Sequence, residues 1–150
     1  MRKFGEKYFT EKIDITDPCY DKDTWCRINN YKVVPGTYNC NYTEIDAGNW
    51  GKRISLLEIF NKDYKKKNTH KQSIGYIGVD AGLAGFFNNK KDYDDKEWHE
   101  FCKQLKDPKV NVWGIENGFF SASGYGDGEY EVFAYQTAVG ETVGLQIRFI

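Results

Sequence analysis

No stretch of the chain approaches the roughly 18 consecutive apolar residues that a membrane span needs, and Met1 to Lys7 carry no apolar signal-peptide core. The expectation is a cytoplasmic protein with no membrane partner. Histidine is scarce: His70 and His99 are the only two, and no Cys or His pair has zinc-site spacing. Neither a GxxxxGK[ST] phosphate loop nor a GxSxG nucleophile elbow occurs. Neither sign of charge dominates, with 21 basic against 22 acidic residues and a net charge of -1. That balance gives no electrostatic footprint for nucleic acid. One local exception runs from Lys62 to Lys71. It reads as a solvated loop, with a phosphate-facing or acidic-partner patch as the alternative.

Aromatic residues are abundant, with 11 Tyr, 10 Phe and 4 Trp in 150 residues. Disordered chains lack aromatics, and strands favour them. The length fits one domain over residues 1–150, large enough to fold on its own core. No internal repeat or linker interrupts it.

The pattern along the chain predicts an α+β fold, mainly β, with antiparallel sheets that are sandwich-like or strongly twisted. The C-terminal part is the most explicit. Residues 110–116, 119–126, 129–135 and 143–150 read as strands, separated by Asn117-Gly118, Asp127-Gly128 and a turn near Gly140. Asn-Gly and Asp-Gly are strong hairpin signals, so the expectation is a four-stranded meander. Two-residue loops then set Ile115 opposite Phe120, Trp113 opposite Ala122, Ala122 opposite Phe133 and Phe120 opposite Tyr135. Those residues form the expected core face. Val112, Phe119, Ser121, Ser123, Tyr125, Tyr130, Val132 and Ala134 form a partly covered face. One amphipathic helix is expected at about 95–106: Asp94 and Glu97 match a capping box, Trp98, Phe101, Cys102 and Leu105 recur at helical spacing, and Pro108 ends the run. Ile13 and Ile15, Tyr31–Val34 and Thr37–Tyr42 read as further strands around turns at Pro35-Gly36 and Gly48–Gly51. Ile54–Phe60 and Ile74–Val79 are near-continuous apolar runs that suit central strands.

Three segments combine carboxylates with turn chemistry: Asp14–Asp23, Val79–Phe87 and Ser121–Tyr130. Each has a structural reading, because Asp17-Pro18 starts a turn, Asp80 ends a strand run and Asp127 belongs to a turn pair. The functional reading is that these loops converge. Asp80, Gly82, Gly85, Ser121, Ser123, Tyr125 and Asp127 then form a ligand site, the glycines admitting close backbone approach. Asp17, Asp80 and Asp127 are the candidate ligands for a hard cation, Ca²⁺ or Mg²⁺. No cofactor is otherwise implied. Asp21-Lys22-Asp23 opens like an EF-hand loop, but Cys26 stands at its glycine position and Lys32 at its last acidic one.

The segments Asp14–Tyr20, Gly78–Phe87 and Ser123–Tyr130, the last containing Gly-Tyr-Gly-Asp-Gly-Glu-Tyr, resemble small bacterial and phage proteins similar to domain of unknown function 4241. The resemblance implies a bacterial cell, or a host cytoplasm for a phage-encoded protein, and carries no established activity. The expected function is non-catalytic binding of a small ligand or a protein partner. In a phage setting it would be inhibition of a bacterial defence system. The alternative is a divalent-metal-dependent hydrolase acting through the three Asp residues.

With an intracellular assignment, Cys19, Cys26, Cys40 and Cys102 are expected to be free thiols. Thiol titration of denatured, unreduced protein should recover all four. Recovery of two would reveal a disulfide and contradict the assignment.

Overall fold

The computed structural model describes residues 1–150. Eleven strands and one helix follow one another in the order β1 (Arg2–Phe9), β2 (Lys12–Thr16), β3 (Ile28–Lys32), β4 (Gly36–Asp46), β5 (Lys52–Asn61), β6 (His70–Val79), β7 (Leu83–Asn88), α1 (Asp95–Lys103), β8 (Val112–Ile115), β9 (Gly118–Ala122), β10 (Gly128–Gln136) and β11 (Thr142–Arg148). They build two antiparallel sheets, of order β1-β4-β5-β11-β10-β6 and β3-β2-β7-β9-β8. The fold is α+β, mainly β, as the residue patterns predict. No helix is long and apolar enough to cross a membrane.

The sheets pack face to face. Side chains alternate along a strand, so each strand gives every second residue to the space between them. From the six-stranded sheet come Tyr38, Cys40, Leu57, Ile59, Val132, Ala134, Leu145 and Ile147; from the five-stranded one come Ile13, Ile15, Ala84, Phe86 and Phe119. A second cluster lies on the outer face of the smaller sheet. There Phe101 of α1 joins Leu83, Phe87 and Phe120, with Trp113, Ile115 and Leu105 against them.

The expected C-terminal meander is not one sheet. β8 pairs with β9 and β9 with β7, whereas β10 pairs with β11 and β6. Asp127-Gly128 is therefore not a hairpin turn but part of a crossing from one sheet to the other. Ala122 and Phe120 never meet Phe133 and Tyr135. The β8–β9 hairpin exists, but its loop is Glu116-Asn117, because Ile115 pairs with Gly118 and Trp113 with Phe120. The facing is also reversed. Phe119, Val132 and Ala134 enter the main core, while Phe120 and Trp113 point under the helix. Phe133 is only half-buried, with Lys71 and Arg148 over its ring.

Two further expectations change. Ile74–Val79 belongs to β6, an edge strand rather than a central one. Ile77 and Val79 point inward while Tyr76 is exposed, and Gly78 N–H donates to Cys26 O, which covers part of the edge. The helix is shorter than expected, ending at Lys103, and Trp98 on it is exposed. Its start is as read: Asp94 and Glu97 form a reciprocal capping box.

The basic segment folds back on the outer face of the larger sheet. Lys66 Nζ lies 2.6 Å from Glu58 Oε2, and Tyr135 OH and Gln146 Nε2 donate to Glu58 Oε1. Glu58 is fully buried, so one lysine of the run neutralises a carboxylate that three strands enclose.

Phe101→Ala should cost about 3–5 kcal/mol in urea denaturation, because the ring is buried against Tyr93, Trp98 and Phe120. Trp98→Ala should cost less, its ring being more exposed. Equal effects would mean that the helix packs differently.

Candidate functional site

The three carboxylate-bearing loops do converge, at the end of the sandwich where β2, β6 and β9 finish and β7 and β10 begin. Asp17 is the connection. It is wholly buried, and its carboxylate accepts from Cys19 N–H at 2.8 Å, Asp80 N–H at 3.0 Å and Ala81 N–H at 2.8 Å. Charge-assisted bonds of this kind are the stronger class. They fix the β6–β7 turn against the loop after β2, and they occupy both carboxylate oxygens with backbone donors.

The β6–β7 turn in turn holds the crossing segment. Gly82 O accepts from Ser123 N–H at 3.0 Å. Ser123 Oγ donates to Gly126 O at 2.7 Å, and Gly126 N–H donates to Ser123 O at 2.8 Å. Tyr130 OH reaches the Ser123 and Gly126 carbonyls from β10. Burial pushes that phenol upward from its ordinary value, which keeps it a donor. Gly126 has φ of 118°, a conformation open to glycine and costly for other residues. These bonds satisfy backbone groups that have left both ladders.

The predicted site residues therefore divide. Asp80, Tyr125 and Asp127 are exposed at this end, and Gly82 lies between them with φ of 73°. Ser121 and Ser123 are buried and spend their hydroxyls on the Ala122 and Gly126 carbonyls. Gly85 is also interior: the close approach it permits is that of β9, since a Cβ there would strike Phe119 O and Phe120 Cβ. Asp17, Asp80 and Asp127 do not form a ligand cluster. No group of three or more His, Cys, Asp or Glu side chains in the chain is arranged to hold a metal ion.

Two residues complete the surface. Trp50 ends a short 3₁₀ turn at Gly48–Trp50, closed by Ala47 N–H to Gly51 O and Gly51 N–H to Gly48 O. Arg53 Nε donates to Trp50 O at 2.8 Å. Tyr125 stands edge-on to Trp50, with ring centroids 6.3 Å apart and an interplanar angle of 75°. The Arg53 guanidinium lies 5.8 Å from the Tyr125 centroid. Trp50 is 68% exposed and Tyr125 57%. The two rings together line an open, shallow cleft of about 280 Å³. Ile150, also exposed, packs beside Gly124 on the same rim. Trp50 sits in a stretch that the sequence marks only as a turn, and nothing local pairs it with Tyr125.

A larger cavity of about 540 Å³ opens at the opposite end, between Tyr31–Pro35 and the β10–β11 turn. Its charged lining residues, Glu11, Lys32 and Glu141, are all exposed.

No protein-family model, curated protein or solved structure matches the chain.

Asp17→Ala leaves three backbone donors without their acceptor and should cost about 3–5 kcal/mol of unfolding free energy. Asp127→Asn alters an exposed side chain and should stay within about 0.5 kcal/mol of the parent. A silent Asp17→Ala in chemical denaturation would show that the loops are not held this way.

Proposed function

We propose that the chain is a non-catalytic binding protein that recognises a protein partner through Trp50, Tyr125 and Arg53. The observation that carries the reading is the exposed, edge-to-face Trp50–Tyr125 pair with Arg53 beside it, seated on loops that internal hydrogen bonds hold in one shape. Trp, Tyr and Arg are the residues most enriched among interface positions that dominate binding energy. Holding them in place beforehand reduces the ordering cost of association.

The openness of the cleft favours a protein over a small molecule. Small ligands are usually enclosed on most of their surface, and here two aromatic walls border open solvent. Asp80 and Asp127 supply a polar rim. The resemblance of the Gly-Tyr-Gly-Asp-Gly segment to phage and bacterial proteins extends the proposal to inhibition of a bacterial defence component. That extension rests on the sequence segments alone.

The test uses peptides selected from a random display library on the parent protein. Selected peptides should lose about 30-fold or more in affinity to Trp50→Ala and to Tyr125→Ala, the loss expected of dominant interface residues. The melting temperature of both variants should match the parent, because both rings are largely exposed. Selection of peptides that ignore both substitutions and bind the cavity at the opposite end would overturn the reading.

A further inference from the structure

Lys90 is the one buried lysine of the chain; every other is exposed or half-buried. Its side chain is brought inside by the backbone. β7 ends at Asn88, and Asn89 adopts a left-handed φ of 47°. A non-glycine residue in this region is uncommon, although Asn tolerates it best. The turn aims Lys90 N–H at Asp14 Oδ2, 2.8 Å away on the outer face of β2. Asp14 is itself buried and also accepts from Asn30 N–H.

The ammonium end then lies 3.8 Å from the centroid of the Tyr93 ring. It donates to Lys91 O at 2.6 Å, its one hydrogen bond within the protein. Two of its three donors are left over. Lys90 lines a pocket of about 230 Å³ shared with Cys19, Tyr20, Tyr93 and Trp98, and with the exposed Asp21 and Asp95.

A second buried cation stands close by. Arg27 places Nη1 on Tyr20 O and Nε on Asn29 Oδ1, but Nη2 has no hydrogen-bond partner and lies 3.7 Å from Asp14 Oδ2. Asp14 thus pairs with the Arg27 guanidinium and takes only the backbone N–H of Lys90, so the Lys90 ammonium has no carboxylate partner of its own. Desolvation first, and the Arg27 charge second, draw the Lys90 pKa below that of a free lysine, with Asp92, Cys19 and Asp21 opposing. A desolvated lysine beside another cation is the arrangement that makes an amine nucleophilic near neutral pH. The neighbouring thiol does not compete, since burial and Asp17 push Cys19 up to about 12.

We propose that Lys90 captures a small, neutral, planar carbonyl compound in this pocket as a reversible Schiff base. The neutral amine attacks the carbonyl carbon, and the C=O π pair moves to oxygen. The carbinolamine then loses water, made from the carbonyl oxygen and the two amine hydrogens, and a C=N bond replaces C=O with no change of oxidation state. Hydrolysis reverses the step. Tyr20, Tyr93 and Trp98 make the wall aromatic, which suits a planar ligand, while Asp21 and Asp95 disfavour an anionic one. The site does not depend on the reading of Trp50 and Tyr125.

The experiment treats the native full-length chain with benzaldehyde and cyanoborohydride over a range of pH, followed by peptide mass spectrometry. Each unit by which a lysine's pKa falls raises its free-amine fraction about tenfold at neutral pH. Lys90 should therefore be labelled faster than any exposed lysine, and its rate should level off at a lower pH than theirs. The preference should vanish in concentrated urea. Labelling of Lys90 at or below the rate of the exposed lysines in the native protein would overturn the proposal. So would a preference that survives in urea.

Discussion

The chain leaves the smaller sheet at Ala122 and enters the larger one at Gly128, and the residues between must satisfy their backbone groups without either ladder. Ser123 does most of this. Its N–H bonds to Gly82 O, its hydroxyl to Gly126 O, and its carbonyl receives Tyr130 OH. Were these groups left unpaired in the interior, each would carry a desolvation penalty of about 1–3 kcal/mol. The crossing also joins the two layers covalently at the end where the candidate surface lies. Asp17 supplies the second tie by holding the Asp80 and Ala81 amides. Tyr125, between these bonded residues, is exposed.

Local signals in the sequence match the structure where they act locally. The Asp94–Glu97 capping box starts α1, and the alternation of Ile13 with Ile15 marks a strand with one face inward. The β8–β9 hairpin is present with its loop one residue earlier than Asn117-Gly118 suggests. Partner choice was not legible. Asp127-Gly128 has hairpin chemistry, yet the strand after it pairs with β6 and β11. What decides this is the fit of Val132 and Ala134 into the space between the sheets, and that depends on residues far away in sequence. The same blindness applies to β6. An apolar run looks central, but the strand closes a sheet edge and is partly covered by the Cys26 loop.

The candidate surface shows a similar division. Turn chemistry at Asp17, Asp80 and Asp127 supports a purely structural reading of each segment, and the convergence of the three loops is a matter of tertiary structure that no local pattern shows. Their roles are no more legible. Asp17 holds loops together, and Ser121 and Ser123 face inward, because a hydroxyl near a β-strand end finds backbone carbonyls before it finds solvent. Trp50 and Arg53 lie more than 70 positions before Tyr125, and only the β4–β5 turn brings them beside it. Lys90 gave no signal at all, since a buried lysine cannot be told from a surface one by spacing. Its burial follows from the left-handed turn at Asn89 and from the Asp14 carboxylate beneath.

The central claim is that the loop end is a rigid platform rather than a set of mobile loops. Amide hydrogen exchange tests it directly. The N–H groups of Asp80, Ala81, Ser123 and Gly126 lie in turns, yet each is bonded internally. They should exchange slowly, opening only when the surrounding strands open. Exchange of these four amides at the rate of an unstructured peptide, with β5 and β11 still protected, would contradict the account.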